Sequence, residues 1–315
     1  MMAGGLVMLS RLLLKEGFMK QSKRTIALFM APSLILFAIV FVYPVIRTLL
    51  MSFYEVPGIT ADSSTWSWVG GTNYNSLMST RLFQISMINF VKLWIFTGIA
   101  TLVLALLLAV ILTSGIVGQK FFRAVIYMPN VISGVAVGYM WLLYVFNQDY
   151  GLLKTLFGKL GLDAAASFQW LSVDNLFLSM CIAYVFNGVG YYMLMYISGI
   201  EKISKDYFEA AILDGATAFQ QFFMITLPLI KGVIGTSVTL WTSRVMGFFA
   251  LSQIFTGTTT FVPMKYVYQL LFGTADEASQ LKVGKAAAAA VVMTLVVTVI
   301  STIMKHAIKD ENYEI

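Results

Sequence analysis

The side chains of this chain with the most chemical potential are arranged to bind a solute, and nothing in their pattern makes or breaks a bond. Tyr184, Asn187, Gly188 and Tyr191 recur at i, i+3, i+4 and i+7, as do Trp241, Arg244, Val245 and Phe248. That interval gathers each set on one face of a helix. Aromatic rings stack on the apolar faces of a sugar, and Asn, Tyr and Arg hydrogen-bond its hydroxyls, so two such stripes suit the passage of a polyhydroxylated solute. Arg244 can alternatively pair with backbone carbonyls for structure, and aromatics at helical spacing can simply pack, so both readings stay open. No catalytic residue is expected, because no nucleophile stands with a base. Cys181 is the only cysteine and His306 the only histidine, which excludes an intrachain disulfide and leaves no visible metal site. The Gly-rich phosphate loop ending in Gly-Lys-Ser/Thr is missing, since Gly158-Lys159 is followed by Leu160.

The elements that carry these residues belong in a membrane. Of 315 residues, 59% are hydrophobic and 11% charged, against about a quarter charged in soluble domains. Six stretches are apolar and long enough to cross roughly 30 Å of hydrocarbon, which takes about 20 helical residues. They are 25–46, 93–118, 124–148, 175–200, 232–256 and 286–304, the third carrying Pro129 and the fifth Arg244. An arginine within a span costs at least ~2.5 kcal/mol and should face the bundle or water. Six crossings put both termini on one side, and twelve Lys and Arg on that side against eight on the other make it the cytoplasm. The net charge of +6 then reflects insertion signals and lipid contact, with no nucleic acid needed. Residues 1–24 and 305–315 read as cytosolic tails, 25–304 as the membrane domain, and the alanine run 286–290 as a close-packing surface.

Among the inward loops, 201–231 stands apart as one organised element. Ser204 can cap a helix and Asp206 suits its positive end. Phe208, Ala211, Ile212 and Ala216 follow at helical spacing, and Pro228 interrupts just before the fifth span. Alanines permit close docking in a groove, Gly215 allows a tight turn or close backbone approach, and Glu209 can meet a basic group or an amide on a partner.

Written out, Glu209-Ala210-Ala211-Ile212-Leu213-Asp214-Gly215-Ala216 with Ile225-Thr226-Leu227-Pro228 resembles the EAA loop of ABC importer permeases, in the maltose-type sugar branch. Phe122-Arg123-Ala124 through Pro129 and Trp141 extend the likeness over most of the chain from about residue 25. The resemblance implies an all-α, type I importer permease fold with six transmembrane helices and a cytosolic coupling helix. It implies an ATP-driven sugar or oligosaccharide importer in which Tyr207, Glu209, Ala210, Ala211, Asp214 and Gly215 couple to a cytosolic ABC ATPase dimer. That ATPase binds ATP and Mg, and this chain holds no cofactor. A second related permease, an extracellular substrate-binding protein and membrane lipid complete the expected partners, at a multi-pass address in the cell membrane. In that family the substrate contacts come from the fourth and fifth spans, where the two stripes lie. Arg244 is no family requirement and suggests an acidic or acetylated saccharide. The Gly-Gly-Pro element common after the fifth span is replaced by Phe255-Thr256-Gly257-Thr258-Thr259-Thr260-Phe261-Val262-Pro263. The alternatives are an importer permease for a non-sugar solute and a secondary transporter, the latter opposed by the lack of Asp, Glu or His within the six stretches.

Overall fold

The computed structural model describes residues 23–273 and 282–307. Most of both expected tails lies outside these residues, and the last span stays helical to Ala307. The chain divides into two units, one up to Met51 and one from Ser52.

The first unit is an apolar rod in which Lys23–Phe37, a π-wound turn Ala38–Val42 and Tyr43–Met51 follow without a break. Its spanning stretch, Ala27–Met51, outruns the expected end at residue 46. Arg47 does not stop the helix, because its Nη1 reaches back one turn to the Tyr43 hydroxyl at 3.5 Å.

In the second unit three helices cross singly, Arg81–Thr113, Leu176–Ile200 and Val283–Met304. The expected start of the second span at residue 93 is corrected to Arg81. Charge alone makes Lys92 the edge of an outer loop, yet it is an exposed residue within a continuous helix, and a long cationic side chain can leave a span sideways. The end moves from 118 back to Thr113, because Gly115 and Gly118 adopt φ of 84° and 80°, which a helix cannot contain.

The third and fifth spans are broken rather than straight. Gln119–Val131 and Gly134–Val145 meet at 99°, and Ala218–Leu229 and Lys231–Ile254 at 67°. A proline, which lacks a backbone donor, lies within a turn ahead of each break: Pro129 before Ile132 and Ser133, and Pro228 before Ile230. Four single spans plus two bent ones make six crossings, so the architecture is the all-helical one expected. One small β element adds to it: β1 (Tyr54–Glu55) pairs antiparallel with β2 (Ser67–Trp68) in the loop before the second span.

The core lies where the second, fourth and fifth spans meet, around Trp241, Tyr192, Tyr196, Phe90 and Leu93. Two close approaches hold it. Ala286, Ala287, Ala288 and Ala289 are buried as the alanine run predicts. At Gly190 the fourth span touches the backbone of the third, so that a Cβ there would stand 2.6 Å from Tyr127 Cα. Polar bonds add direction inside the apolar core: Tyr196 Oη and Ser237 Oγ lie 2.7 Å apart, and Trp94 Nε1 donates to Thr242 Oγ1 at 2.9 Å.

Candidate functional site

Two regions carry the functional potential. The first is the loop after the fourth span. Its helix, Lys205–Leu213, begins as the sequence predicts, with the Ser204 hydroxyl accepting from the Asp206 amide at 3.3 Å. It ends in a Schellman turn: the Ala216 amide donates to the Ala211 carbonyl at 2.8 Å and the Gly215 amide to Ile212 at 3.0 Å. Gly215 sits there at φ +77° with open space around it, so of the two roles expected for it the tight turn is the one present. Thr217 then opens the next helical piece with a reciprocal capping box to Gln220. The segment 201–231 is therefore one exposed helix, a glycine turn, and a second helix that already belongs to the bent fifth span.

Glu209, Ala210, Asp214 and Gly215 are exposed and Ala211 is half-buried. The Glu209 side chain enters no hydrogen bond or ion pair among the described residues. Tyr207, Ile212 and Leu213 add apolar surface, with Leu213 88% exposed, while Phe208 packs inward on the core. A short helix whose caps are complete and whose outer face is unused is a rigid knob. At its root lies a tie that sequence reasoning missed. Arg123 pairs with Glu201 at 2.8 Å and donates to the Leu112 carbonyl at 3.0 Å, joining the ends of the second and fourth spans to the start of the third. The signal was there in a cation placed just after the glycine turn.

The second region centres on Arg244. Tyr184, Trp241 and Phe248 pack on one another, with ring centroids 5.3 Å apart for Tyr184 and Trp241 and 4.4 Å for Tyr184 and Phe248. They meet inside the core, with Val245 and Gly188 also buried. Trp241 Nε1 donates to the Trp94 carbonyl at 3.1 Å. Of the eight stripe residues, Tyr191, 37% exposed, and the half-buried Arg244 reach an open face.

Arg244 Nη2 donates to Asn130 Oδ1 at 3.0 Å and to Asn187 Oδ1 at 3.3 Å, and the guanidinium carbon stands 5.8 Å from the centre of the Tyr191 ring. Asn187 Nδ2 in turn donates to the Pro129 carbonyl at 2.8 Å. That carbonyl is one that the break in the third span leaves without its helical partner, so Asn187 repairs the break and holds the arginine with the same amide. The buried hydroxyls of Tyr184 and Tyr192 lie beside the guanidinium. Asn130 was missed by the sequence stripes because it lies on a third helix. Thr236, Thr239 and Ser243 form a polar, partly exposed row beside Arg244 on its own helix, a row readable from spacing alone.

Residues 102–310 match the family described as binding-protein-dependent transport system inner membrane component. Over 91% of its length the chain is 31% identical to the probable starch degradation products transport system permease AmyD of Thermoanaerobacterium thermosulfurigenes, covering 94% of that protein. It is 28% identical to the arabinooligosaccharides transport system permease AraP of Bacillus subtilis, over 88% of this chain and 86% of that one. In fold it is similar to a chain of a bacterial ABC transporter involved in import of the acidic polysaccharide alginate, with a TM-score of 0.76, 21% identity, and coverage of 93% of this chain and 98% of that one.

Proposed function

The chain belongs to the family of binding-protein-dependent transport system inner membrane components, and on that premise we propose that the solute it passes is a sugar or short oligosaccharide. It is the multi-pass inner-membrane permease of an ABC importer, a transport subunit rather than an enzyme. Saccharides are the cargo named for relatives such as AmyD and AraP. In this chain Tyr191 and Arg244 offer a stacking ring and a hydrogen-bonding fork side by side, and Thr236, Thr239 and Ser243 add partly exposed hydroxyls along the helix that carries Arg244. Tyr184, Asn187, Gly188, Trp241, Val245 and Phe248 stand behind that face and fix its shape. One permease encloses half of such a path, and a second, related permease supplies the other half.

The single observation that carries the coupling role is the capped, outward-facing helix Lys205–Leu213 with Glu209 unpaired and Gly215 forming its turn. A partly apolar knob outside the apolar spans is surface waiting for a partner, and that partner is the cytosolic ATPase dimer that holds ATP and Mg. The tie from Arg123 to Glu201 and Leu112 connects the knob's root to two other spans, so a push on the helix moves more than one of them. The Lys and Arg bias supports a cytoplasmic side for this loop and both termini, with the opposite loops facing an external binding protein. Solute and nucleotide then each favour one of two conformations, and linkage makes each affect the other.

Purification of the chain from its native membrane in detergent tests this reading. It should bring down an ATPase and a second permease, and the complex should hydrolyse ATP faster when a saccharide-loaded binding protein is added. A chain that purifies alone, or a complex whose hydrolysis ignores every saccharide tested, contradicts it.

A further inference from the structure

Arg244 carries more hydrogen-bonding capacity than the protein uses. Asn187 already satisfies the carbonyl freed at Pro129, so the break in the third span is repaired without the arginine. Asn130 and Asn187 grip one nitrogen, Nη2, through neutral amide oxygens, which orient the guanidinium and leave its positive charge in place. Nη1 and Nε have no hydrogen-bond partner among the described residues, yet neither is buried away from the surface. No carboxylate pairs with Arg244 among the described residues; the ion pair present there joins Arg123 to Glu201 at the far end of the fourth span. The charge sits near the middle of Leu176–Ile200, at the level of Asn187, where the last turn of its own helix and the Tyr191 ring ease it and a cation without a counter-ion remains costly.

A planar fork gripped through one nitrogen, half-buried and charged at mid-membrane depth, has the shape that accepts a carboxylate. Neutral hydroxyls would be served by the neighbouring threonines, serine and asparagine without such a cost. We propose that Arg244, positioned by Asn130 and Asn187, is a specificity-determining residue that reads the carboxylate of an acidic saccharide as it passes the broken third span. This rests on the reading of the chain as a saccharide permease. The two asparagines act through the arginine and are positioning residues.

The test uses the intact importer, with its partner permease, ATPases and binding protein, in membrane vesicles. Three probes are compared at equal amounts of assembled complex: a uronic-acid trisaccharide, its methyl ester, which keeps the shape and loses the charge, and maltotriose. The wild type should import the uronate. Arg244→Gln should lower uronate import at least about tenfold, the scale of a lost hydrogen bond to a charged group, and change ester import by less than about twofold. Arg244→Lys, which keeps the charge and loses the fork, should import uronate better than Arg244→Gln and less well than the wild type. Uronate import untouched by Arg244→Gln, or uronate and ester import lowered by the same factor, would overturn the inference. A wild type that imports maltotriose or the ester but no uronate overturns it while leaving the saccharide reading standing. A wild type that imports none of the three removes the saccharide reading itself.

Discussion

The coupling helix and the Arg244 cluster solve opposite problems. Lys205–Leu213 is short, exposed and locally self-sufficient: Ser204 starts it, Gly215 ends it, and Thr217 caps the next helical piece. The Arg244 cluster has no local logic at all. It exists because Pro129, Asn130, Asn187 and Arg244, from three spans, arrive at one point. The first is a surface built for a partner that has yet to arrive, and the second is a junction of three spans that leaves part of the Arg244 guanidinium unused. Substitutions should therefore fail differently, the backbone packing around the junction through assembly and the loop through coupling.

The sharpest way to break that contrast is Gly190→Val, next to the junction. Its Cβ would meet the backbone of Ile126 and Tyr127, which cannot swing aside as a side chain can, and overpacking of this kind costs about 1–3 kcal/mol or more. Folded chain recovered by size exclusion in mild detergent should fall to a small fraction of wild type. By contrast, Gly215→Val and Glu209→Lys should leave recovery unchanged while lowering vesicle import by more than about tenfold. The valine forces an L side chain into the left-handed region, at about 1–2 kcal/mol of local strain, and the lysine inverts the charge offered to the ATPase. If either variant lost folded chain as Gly190→Val does, the loop would belong to the core after all.

Arg123 stands between the two regions, and Arg123→Ala should show an intermediate effect. The pair with Glu201 is half-exposed, so its coupling in a double-mutant cycle with Glu201→Ala should be about 1 kcal/mol or less by thermal unfolding. The smallest effect belongs to Thr217→Ala. Loss of one cap is worth about 1 kcal/mol, and amide exchange at Ala218–Gln221 should quicken while import stays near wild type.

How much was legible in the sequence divides along the same line. The coupling loop was readable because caps, a glycine turn and an exposed helix are set by neighbours within a few residues. The six crossings were readable because apolar length is a local property, although Lys92 showed that a charge near the membrane edge marks no helix end. The Tyr184 and Trp241 stripes show where reading stops. A spacing of i, i+3, i+4 and i+7 establishes that residues share a face and leaves open which way that face points. Tyr184, Trp241 and Phe248 point into the core, and Tyr191 and Arg244 reach the open side. Asn130 was invisible as a partner of Arg244, because it lies on a third helix beside a 99° break, which spacing along the two stripes does not register.

The account turns on mechanical work entering this polypeptide through the elbow at Glu209–Gly215, and one measurement addresses it directly. The complete importer is reconstituted in vesicles with residues 205–216 replaced by the same amino acids in shuffled order, and solute uptake is compared with that of the intact complex at matched protein. The account predicts that uptake falls to the passive leak while the membrane spans stay folded. Uptake at the full wild-type rate would contradict it.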